Sequence, residues 1–402
     1  MTRGKSVLIG VTGGIAAYKA AALTRLFKKN NWNVIVAMTQ NAMEFVTPLT
    51  FETLSGNPVI TDTFDRKTPL YGTMEHITLA DTVDAFVCAP ATANIIAKIA
   101  GGIADDILST TILALKKETP KIICPAMNVR MYENPATQDN MALLKKRGFF
   151  LLEPEAGELA CGVEGKGRLP KEEVIFAQTL REISGKPLNG KRFLVTGGAT
   201  MESLDPVRYI TNHSSGKMGV AVAEELWKAG AEVSLISGKE SVPSLMIPQQ
   251  FVQSVEEMKE AVLKALRKRD IDLVIMAAAV SDYTPARYET QKIKKEAGDM
   301  TLKLKRTPDI IESIRNEYSV PIIGFAAESE NIEENARMKL KNKGLLMVVA
   351  NDITQTDGGF RSDYNRCYFI TGENNIELSR MTKQEIGARL AAFIADYYSK
   401  KR

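Results

Sequence analysis

The chain has 402 residues, more than one ordinary hydrophobic core organises, so two domains are the expectation. Apolar residues make up 45% and charged residues 25%, the balance of a soluble globular chain, and 52 basic against 48 acidic residues leave a net charge of +4. That near balance gives no reason to expect a nucleic-acid or membrane-surface binder, and any basic site must be local. No stretch approaches the roughly 18 apolar residues a membrane span needs. The opening MTRGKSVLIGVTGG reads as a strand ending in a glycine turn rather than a signal peptide. Cys88, Cys124, Cys161 and Cys367 show no CxxC or other metal-type spacing, so free thiols in a reducing cytoplasm are expected.

In chain order, the strand SVLIGV runs into VTGG (11–14) and a helix expected from about Ile15 to Lys29. Strands follow at NVIVAM (33–38), AFVCAP (85–90) and KIICPA (121–126), with helices at Ala93–Ala100, Asp105–Lys116 and Asn134–Arg147. SGKPLNGK (184–191) is rich in glycine and proline and reads as a linker, which puts the domain boundary near 188. VTGG then recurs at 195–198 after RFLV, and strand, glycine turn, helix is the opening of a doubly wound unit. Further strands are expected at EVSLIS (232–237), DLVIMAAA (272–279), PIIGFAAE (321–328) and LLMVVAND (345–352). Helices are expected near 217–229, 255–268, 331–342 and 382–399, with a polar interruption at 281–307. The expected fold class is α/β: two tandem doubly wound, Rossmann-like domains with mostly parallel sheets covered on both faces.

In such folds ligands sit at the carboxyl ends of strands. The loop GVTGGIAAYK either cradles a phosphate on helix N–H groups or is a tight packing turn. It is not GxGxxG, and the second strand ends in MTQNA with no acid to hold ribose hydroxyls. That disfavours an NAD(P) oxidoreductase and leaves a mononucleotide such as FMN open. Thr92 and Asn94 open a helix and can cap or bind, while Asp105 and Asp106 fit simple capping charges. Asn128 in PAMN serves as an Asx-turn or as a donor to a carboxylate or amide. LACGVEGKGRLP (159–170) reads as a mobile flap rather than a strand or helix. Cys161 at its start is a buried filler or a reactive thiol. Only two histidines exist, His76 in TMEHITLAD and His213 in TNHSSG; each is structural or a group that moves a proton near neutral pH. The lysine-rich run 291–306 is a solvated hairpin or a cationic arm for a polyphosphate.

Several stretches together resemble one family along essentially the whole chain. GVTGGIAAYK, MEHITLAD, APATANIIAKIAGGIADD, PAMN and LACGVEGKGR are similar to flavin-dependent phosphopantothenoylcysteine decarboxylases. DPVRYITNHSSGKMG, MAAAVSDY, KIKK, GFAAE and ANDI followed by GFRSDYN are similar to phosphopantothenate–cysteine ligases. In this order they resemble the fused bacterial enzymes of coenzyme A biosynthesis. Departures are Ser203 where the family often has proline, and Leu169–Pro170 where it has methionine then glutamate.

The resemblance implies a decarboxylase domain at 1–188 and a ligase domain at 189–402. In the first, His76 is the base, Asn128 holds the substrate carboxylate, Cys161 gives a proton to the late intermediate, and Gly13, Gly14, Ile15, Thr39, Thr92, Asn94 and Ser109 line FMN. Flavin oxidation of the thiol to a thioaldehyde supplies the electron sink for carbon dioxide loss. In the second, Asn212 stabilises an acyl-cytidylate, Lys292 meets the nucleotide phosphates and Asp282 sits near Mg2+ and the nucleotide. Pro308, Asp309, Ile310, Phe325, Lys339 and Lys343 complete the CTP site. Implied partners are phosphopantothenate, cysteine and phosphopantothenoylcysteine. Implied assemblies are flavin-domain trimers sharing FMN across subunits, ligase-domain dimers and a dodecamer. Rival readings are a flavin-dependent peptidyl-cysteine decarboxylase, or a non-enzymatic flavoprotein, fused to a nucleotide-binding domain.

Overall fold

The computed structural model describes residues 4–63, 75–158, 164–294, 299–352 and 362–401, without the side chains of residues 75, 76 and 158. The chain divides into two units, Met1–Ile183 and Ser184–Arg402.

In the first unit the apolar runs form β1 (Ser6–Val11), β2 (Asn33–Met38), β3 (Ala85–Ala91), β4 (Lys121–Pro125) and β5 (Phe150–Leu151), in the order β2-β1-β3-β4-β5. Every neighbouring pair is parallel. Alternate residues of one strand feed two cores: Leu8, Ile35, Phe86 and Ile123 on one face, Val7, Ile9, Val36 and Val87 on the other. Burial on both faces is why these strands read as continuous apolar runs instead of alternating ones. The order reverses between β1 and β3, and that switch point opens a crevice at their carboxyl ends.

Three local expectations are corrected here. The helix expected from Ile15 begins as a tight 3-10 turn, Ile15–Tyr18, before the α-helix Lys19–Lys29. The turn lets Ala17 N–H donate to Gly14 O at 2.9 Å, satisfying an amide that an α-helix start would leave open. The helix expected at 105–116 spans Ile107–Ala114, because Asp106 and Ser109 cap it reciprocally. The flap is partly a strand: β6 (Glu155–Glu158) pairs antiparallel with β7 (Glu164–Arg168). Glycine makes this possible, since a Cβ on Gly165 would stand 2.9 Å from the Val129 side chain.

In the second unit the strands are β8 (Arg192–Gly197), β9 (Met201–Ser203), β10 (Tyr209–Thr211), β11 (Glu232–Gly238), β12 (Gln249–Val252) and β13 (Leu273–Met276). Then come β14 (Tyr283–Pro285), β15 (Leu304–Arg306), β16 (Ile322–Glu328), β17 (Met347–Asp352), β18 (Tyr364–Ile370) and β19 (Asn375–Thr382). Eight of them form one sheet, β12-β11-β8-β13-β16-β17-β18-β19. It is parallel from β12 to β17 and closes with the antiparallel β17–β18–β19 edge. Its switch point lies at β8, flanked by β11 and β13. The second VTGG does not lead directly into a helix, as the sequence pattern predicts. A β9–β10 hairpin intervenes, and the helix Lys217–Lys228 follows. The run 281–307 holds a short β14–β15 hairpin at its base.

Candidate active sites

In the first unit the loops after β1, β3 and β4 surround one cavity of about 660 Å³. Gly13, Gly14 and Ile15 form one wall, Thr92 another, and Met127, Asn128, Gly167 and Arg168 a third. Thr12 ties the loops together: its hydroxyl donates to Pro90 O at 2.8 Å and accepts from Thr92 N at 3.1 Å. Thr92 caps helix Ala93–Gly101 by accepting from Ile95 N. Asn128 does make the Asx-turn, its Oδ1 accepting from Arg130 N at 2.9 Å, and it also faces the cavity. The hairpin is pinned beside it by Met127 N donating to Gly167 O at 3.0 Å. Thr39 follows β2, and its hydroxyl is buried with no hydrogen-bond partner among the described residues.

Other expected residues stand elsewhere. Ser109 is buried and its hydroxyl is engaged with the backbone of Asp106. Asn94 is exposed on the first turn of its helix. Burial raises the Asp106 carboxyl, but hydrogen bonds from Lys98 and Ser109 outweigh it and hold the group below its ordinary value. Asp105 pairs with the same Lys98 at 2.6 Å. His76 belongs to helix Glu75–Thr82, but its side chain lies outside the description; Cys161 lies outside the described residues.

The second unit carries two cavities at the carboxyl ends of its parallel strands. One, of about 700 Å³, is lined by Asp282, Pro308, Asp309, Ile310, Phe325, Lys339 and Lys343 among others, which gathers all but one of the expected nucleotide residues. The other, of about 520 Å³, contains Asn212 and shares Asp282, Phe325 and Lys339 with the first. Asn212 Nδ2 donates to Ala279 O at 3.1 Å and Val280 O at 3.2 Å, so the β9–β10 hairpin is what brings it over the end of β13.

The electrostatics of this wall follow from burial. Lys339 Nζ donates to Phe325 O at 2.7 Å, and burial holds its ammonium below its ordinary value despite nearby Glu328. Asp309 caps helix Ile310–Glu317, accepting from Glu312 N at 3.1 Å, and forms an ion pair with Lys343. Burial raises the Asp309 carboxyl; Lys343 and the cap outweigh it and lower it overall. Lys292 is exposed and lines neither cavity. Its neighbour Ile293 is pinned, N–H to Asp205 Oδ2 at 3.1 Å and C=O to Arg208. Asp205 also accepts from Val207 N and Arg208 N; burial raises its carboxyl and these backbone donors bring it down. Sequence reading assigned Asp205 no role, although it sits in DPVRYITNHSSGKMG. His213 lines the smaller cavity with Lys217, Asn351, Asn365 and Lys383, of which the sequence singled out only the histidine.

Fold and cavities together define a tandem doubly wound α/β protein with ligand cavities in each unit. Residues 1–184 match the family model described as Flavoprotein, and residues 188–398 the model described as DNA/pantothenate metabolism flavoprotein C-terminal domain. The chain is 44% identical over 403 residues to the coenzyme A biosynthesis bifunctional protein CoaBC of Bacillus subtilis (strain 168), covering 98% of each. It is 43% identical over 383 residues to the protein of that name from Vibrio vulnificus (strain CMCP6), covering 94% of each. Among solved structures it is similar to the C-terminal domain of a coenzyme A biosynthesis bifunctional protein CoaBC, with TM-score 0.45 and 36% identity over 54% of this chain and 99% of that one. The chain belongs to this family, the bifunctional enzymes of coenzyme A biosynthesis that join a flavoprotein domain to a DNA/pantothenate metabolism domain.

Proposed function

We propose that the second unit activates phosphopantothenate with CTP as an acyl-cytidylate and condenses it with cysteine, and that the first unit, holding FMN, decarboxylates the product to phosphopantetheine in the bacterial cytoplasm. The observation that carries the reading is the shared wall of Asp282, Phe325 and Lys339 between two cavities. One cavity gathers the expected nucleotide residues, and the other holds Asn212. Activation requires a carboxylate and an α-phosphate to meet, and such a shared wall is where two ligands in adjoining cavities touch.

In the second unit Lys339 and Lys343 offset charge on the phosphates, and a phosphate arriving at Lys343 displaces its pairing with Asp309. Magnesium binds through one or two carboxylates plus substrate phosphates, for which Asp282 is suitably placed. Asn212 directs an amide toward the activated acyl group, and Lys292 approaches the phosphates from the exposed run.

In the first unit the cavity volume falls within the range of small-molecule sites. The glycine loop and Thr92 stand at the switch point, and the orphaned Thr39 hydroxyl fits a further polar partner. Gly13, Gly14, Ile15, Thr39 and Thr92 hold FMN, and Asn94 and Ser109 are assigned to the same site by the resemblance alone. Bound flavin supplies the two-electron oxidation of the cysteine side chain that makes carbon dioxide loss feasible. His76 takes up a proton, since imidazole titrates near neutral pH. Asn128 holds the departing carboxylate, and Cys161 returns a proton to carbon. Ile15, Tyr18 and Met131 line the cavity while 59%, 60% and 50% exposed, which supports closure by another copy in a trimer.

The test supplies purified protein with phosphopantothenate, cysteine and magnesium, and compares CTP with ATP. Yellow protein releasing pyrophosphate with CTP supports the reading. Release with neither nucleotide, or from colourless protein that still evolves carbon dioxide, refutes it.

A further inference from the structure

The β9–β10 hairpin carries more than Asn212. Its turn closes with Leu204 N donating to Arg208 O at 2.8 Å. Asp205 stands inside that turn and is only 2% exposed, an unusual depth for a carboxylate. Its two oxygens take separate tasks. Oδ1 accepts from Val207 N at 2.7 Å and Arg208 N at 2.8 Å, a local turn contact. Oδ2 accepts from Ile293 N at 3.1 Å, 88 residues away along the chain. Arg208 completes the grip: its guanidinium donates to Ile293 O and stands 3.5 Å from the same Oδ2. Both backbone groups of Ile293 are therefore held. Slightly earlier in the chain, Glu289 N donates to Leu204 O at 2.9 Å.

The hairpin is itself fixed on its other side. Glu202, 5% exposed, accepts from Val255 N at 2.9 Å, and Met201 N donates to Gln253 O at 2.7 Å. These bonds tie β9 to the start of helix Val255–Lys268. At the end of β10, Thr211 Oγ1 donates to Thr200 O at 2.8 Å, and Asn212 reaches Ala279 O. One bracket thus holds Asn212 at its end and, at its turn, the backbone beside Lys292. Lys292 is exposed, and a long side chain reaching a phosphate from a loose segment must lose both backbone and side-chain freedom. Holding the segment at Ile293 removes the backbone part of that loss in advance.

We propose that Asp205 is a positioning residue for the ligase reaction: its Oδ2 tethers Ile293 and so fixes the root of the lysine run from which Lys292 reaches the nucleotide phosphates. The proposal rests on the ligase reading above and deepens it. Asp205 touches no substrate and acts through Lys292. A carboxylate that served the turn alone would need only one of its oxygens.

Asp205→Asn separates the two oxygens. The amide oxygen keeps Val207 N and Arg208 N, and the amide nitrogen then meets the Ile293 N–H, donor against donor. The experiment measures pyrophosphate release by the full-length protein with phosphopantothenate, cysteine and magnesium over a range of CTP concentrations. Wild type, Asp205→Asn, Lys292→Met and the double variant are compared. Lys292→Met loses about 100-fold in kcat/KM for CTP, and Asp205→Asn about tenfold. In the double variant Asp205→Asn costs less than about twofold more, because the tether has nothing left to position. Carbon dioxide release from supplied phosphopantothenoylcysteine is unchanged in all three variants. Without nucleotide, trypsin cuts Asp205→Asn after Lys292 or Lys294 about fivefold faster than wild type, since a released root opens locally. Asp205→Ser, whose single oxygen still caps the turn, is the second variant should Asp205→Asn fail to fold, and it shows the same pattern. Losses that multiply in the double variant, wild-type kinetics in Asp205→Asn or in Lys292→Met, or an unchanged cutting rate overturn the proposal alone. No pyrophosphate from wild type overturns the ligase reading, and the proposal with it.

Discussion

The tetrapeptide VTGG ends the first strand of both units and then folds in two ways. At 11–14 the chain stays extended at Gly14, with φ −147°, and enters the Ile15–Tyr18 turn and its helix directly. At 195–198 Gly198 takes φ +76°, a left-handed backbone that favours glycine, and the chain runs into the β9–β10 hairpin before any helix. The shared residues deliver a turn at the carboxyl edge of a buried strand; the following residues decide what the turn leads to. IAAYK continues as helix and leaves an apolar, half-open cavity wall. ATMESLDPVRYITNHSSG inserts a hairpin that carries Asn212 onto the carbonyls of Ala279 and Val280. The first cavity therefore presents apolar side chains such as Ile15 and Tyr18, and the second gathers charged and amide groups.

Replacing the charge on the shared wall separates the units most strongly. Lys339→Met lowers pyrophosphate release by about 100-fold, the scale of a lost charge-assisted contact in a buried site. Carbon dioxide release from supplied phosphopantothenoylcysteine stays unchanged. Equal loss of both products would mean that the two sites are not independent.

The turns themselves differ in how an added methyl is tolerated. Gly13→Ala drives a Cβ into Asn41, a steric clash on an ordinary backbone. Gly198→Ala drives one into Ser241 and adds left-handed strain. Each costs about 1–3 kcal/mol, read as a lowered midpoint of that unit's unfolding transition. Adding Ser241→Gly to Gly198→Ala recovers only the clash with Ser241, leaving the tight approach to Gly238 N and about 1 kcal/mol of backbone strain. Full recovery would show that the backbone relaxes.

The smallest effect concerns the helix Ile107–Ala114 of the first unit. Asp106→Ala removes a cap and costs about 1 kcal/mol at neutral pH. Because the folded carboxyl titrates below its ordinary 3.8, its contribution is fully present above that value and is lost as pH falls through the lowered folded pKa. Melting curves of wild type and variant therefore differ at pH 7 and converge in strong acid. A gap that persists in strong acid would assign the effect to something other than the ionised cap.

The buried parallel strands were legible in the sequence because continuous apolar runs bounded by glycine have few other uses. The β18–β19 edge was not, since its half-exposed residues mix polar and apolar without a clean period. The strand β7 was hidden by glycines that signal a loop, yet those glycines permit its approach to Val129. Among site residues, Asn212, Asp282, Asp309, Phe325, Lys339 and Lys343 were identifiable through motif resemblance, and the cavities bring them together. Lys383 lay in no motif, and Lys217, although inside DPVRYITNHSSGKMG, was given no role: a lysine opening a helix looks like solvated surface until the two helices are packed side by side. Ser109 fits the opposite case, a residue the resemblance assigns to FMN whose hydroxyl is already engaged by its own helix cap.

The most direct measurement follows carbon dioxide and pyrophosphate separately in one reaction with phosphopantothenate, cysteine, CTP and magnesium, for wild type and His76→Asn. The two-site account predicts both products from wild type. From the variant it predicts undiminished pyrophosphate, with carbon dioxide down by about 100-fold or more. Wild type that binds flavin and makes pyrophosphate but no carbon dioxide, or a variant that keeps its carbon dioxide, would contradict it.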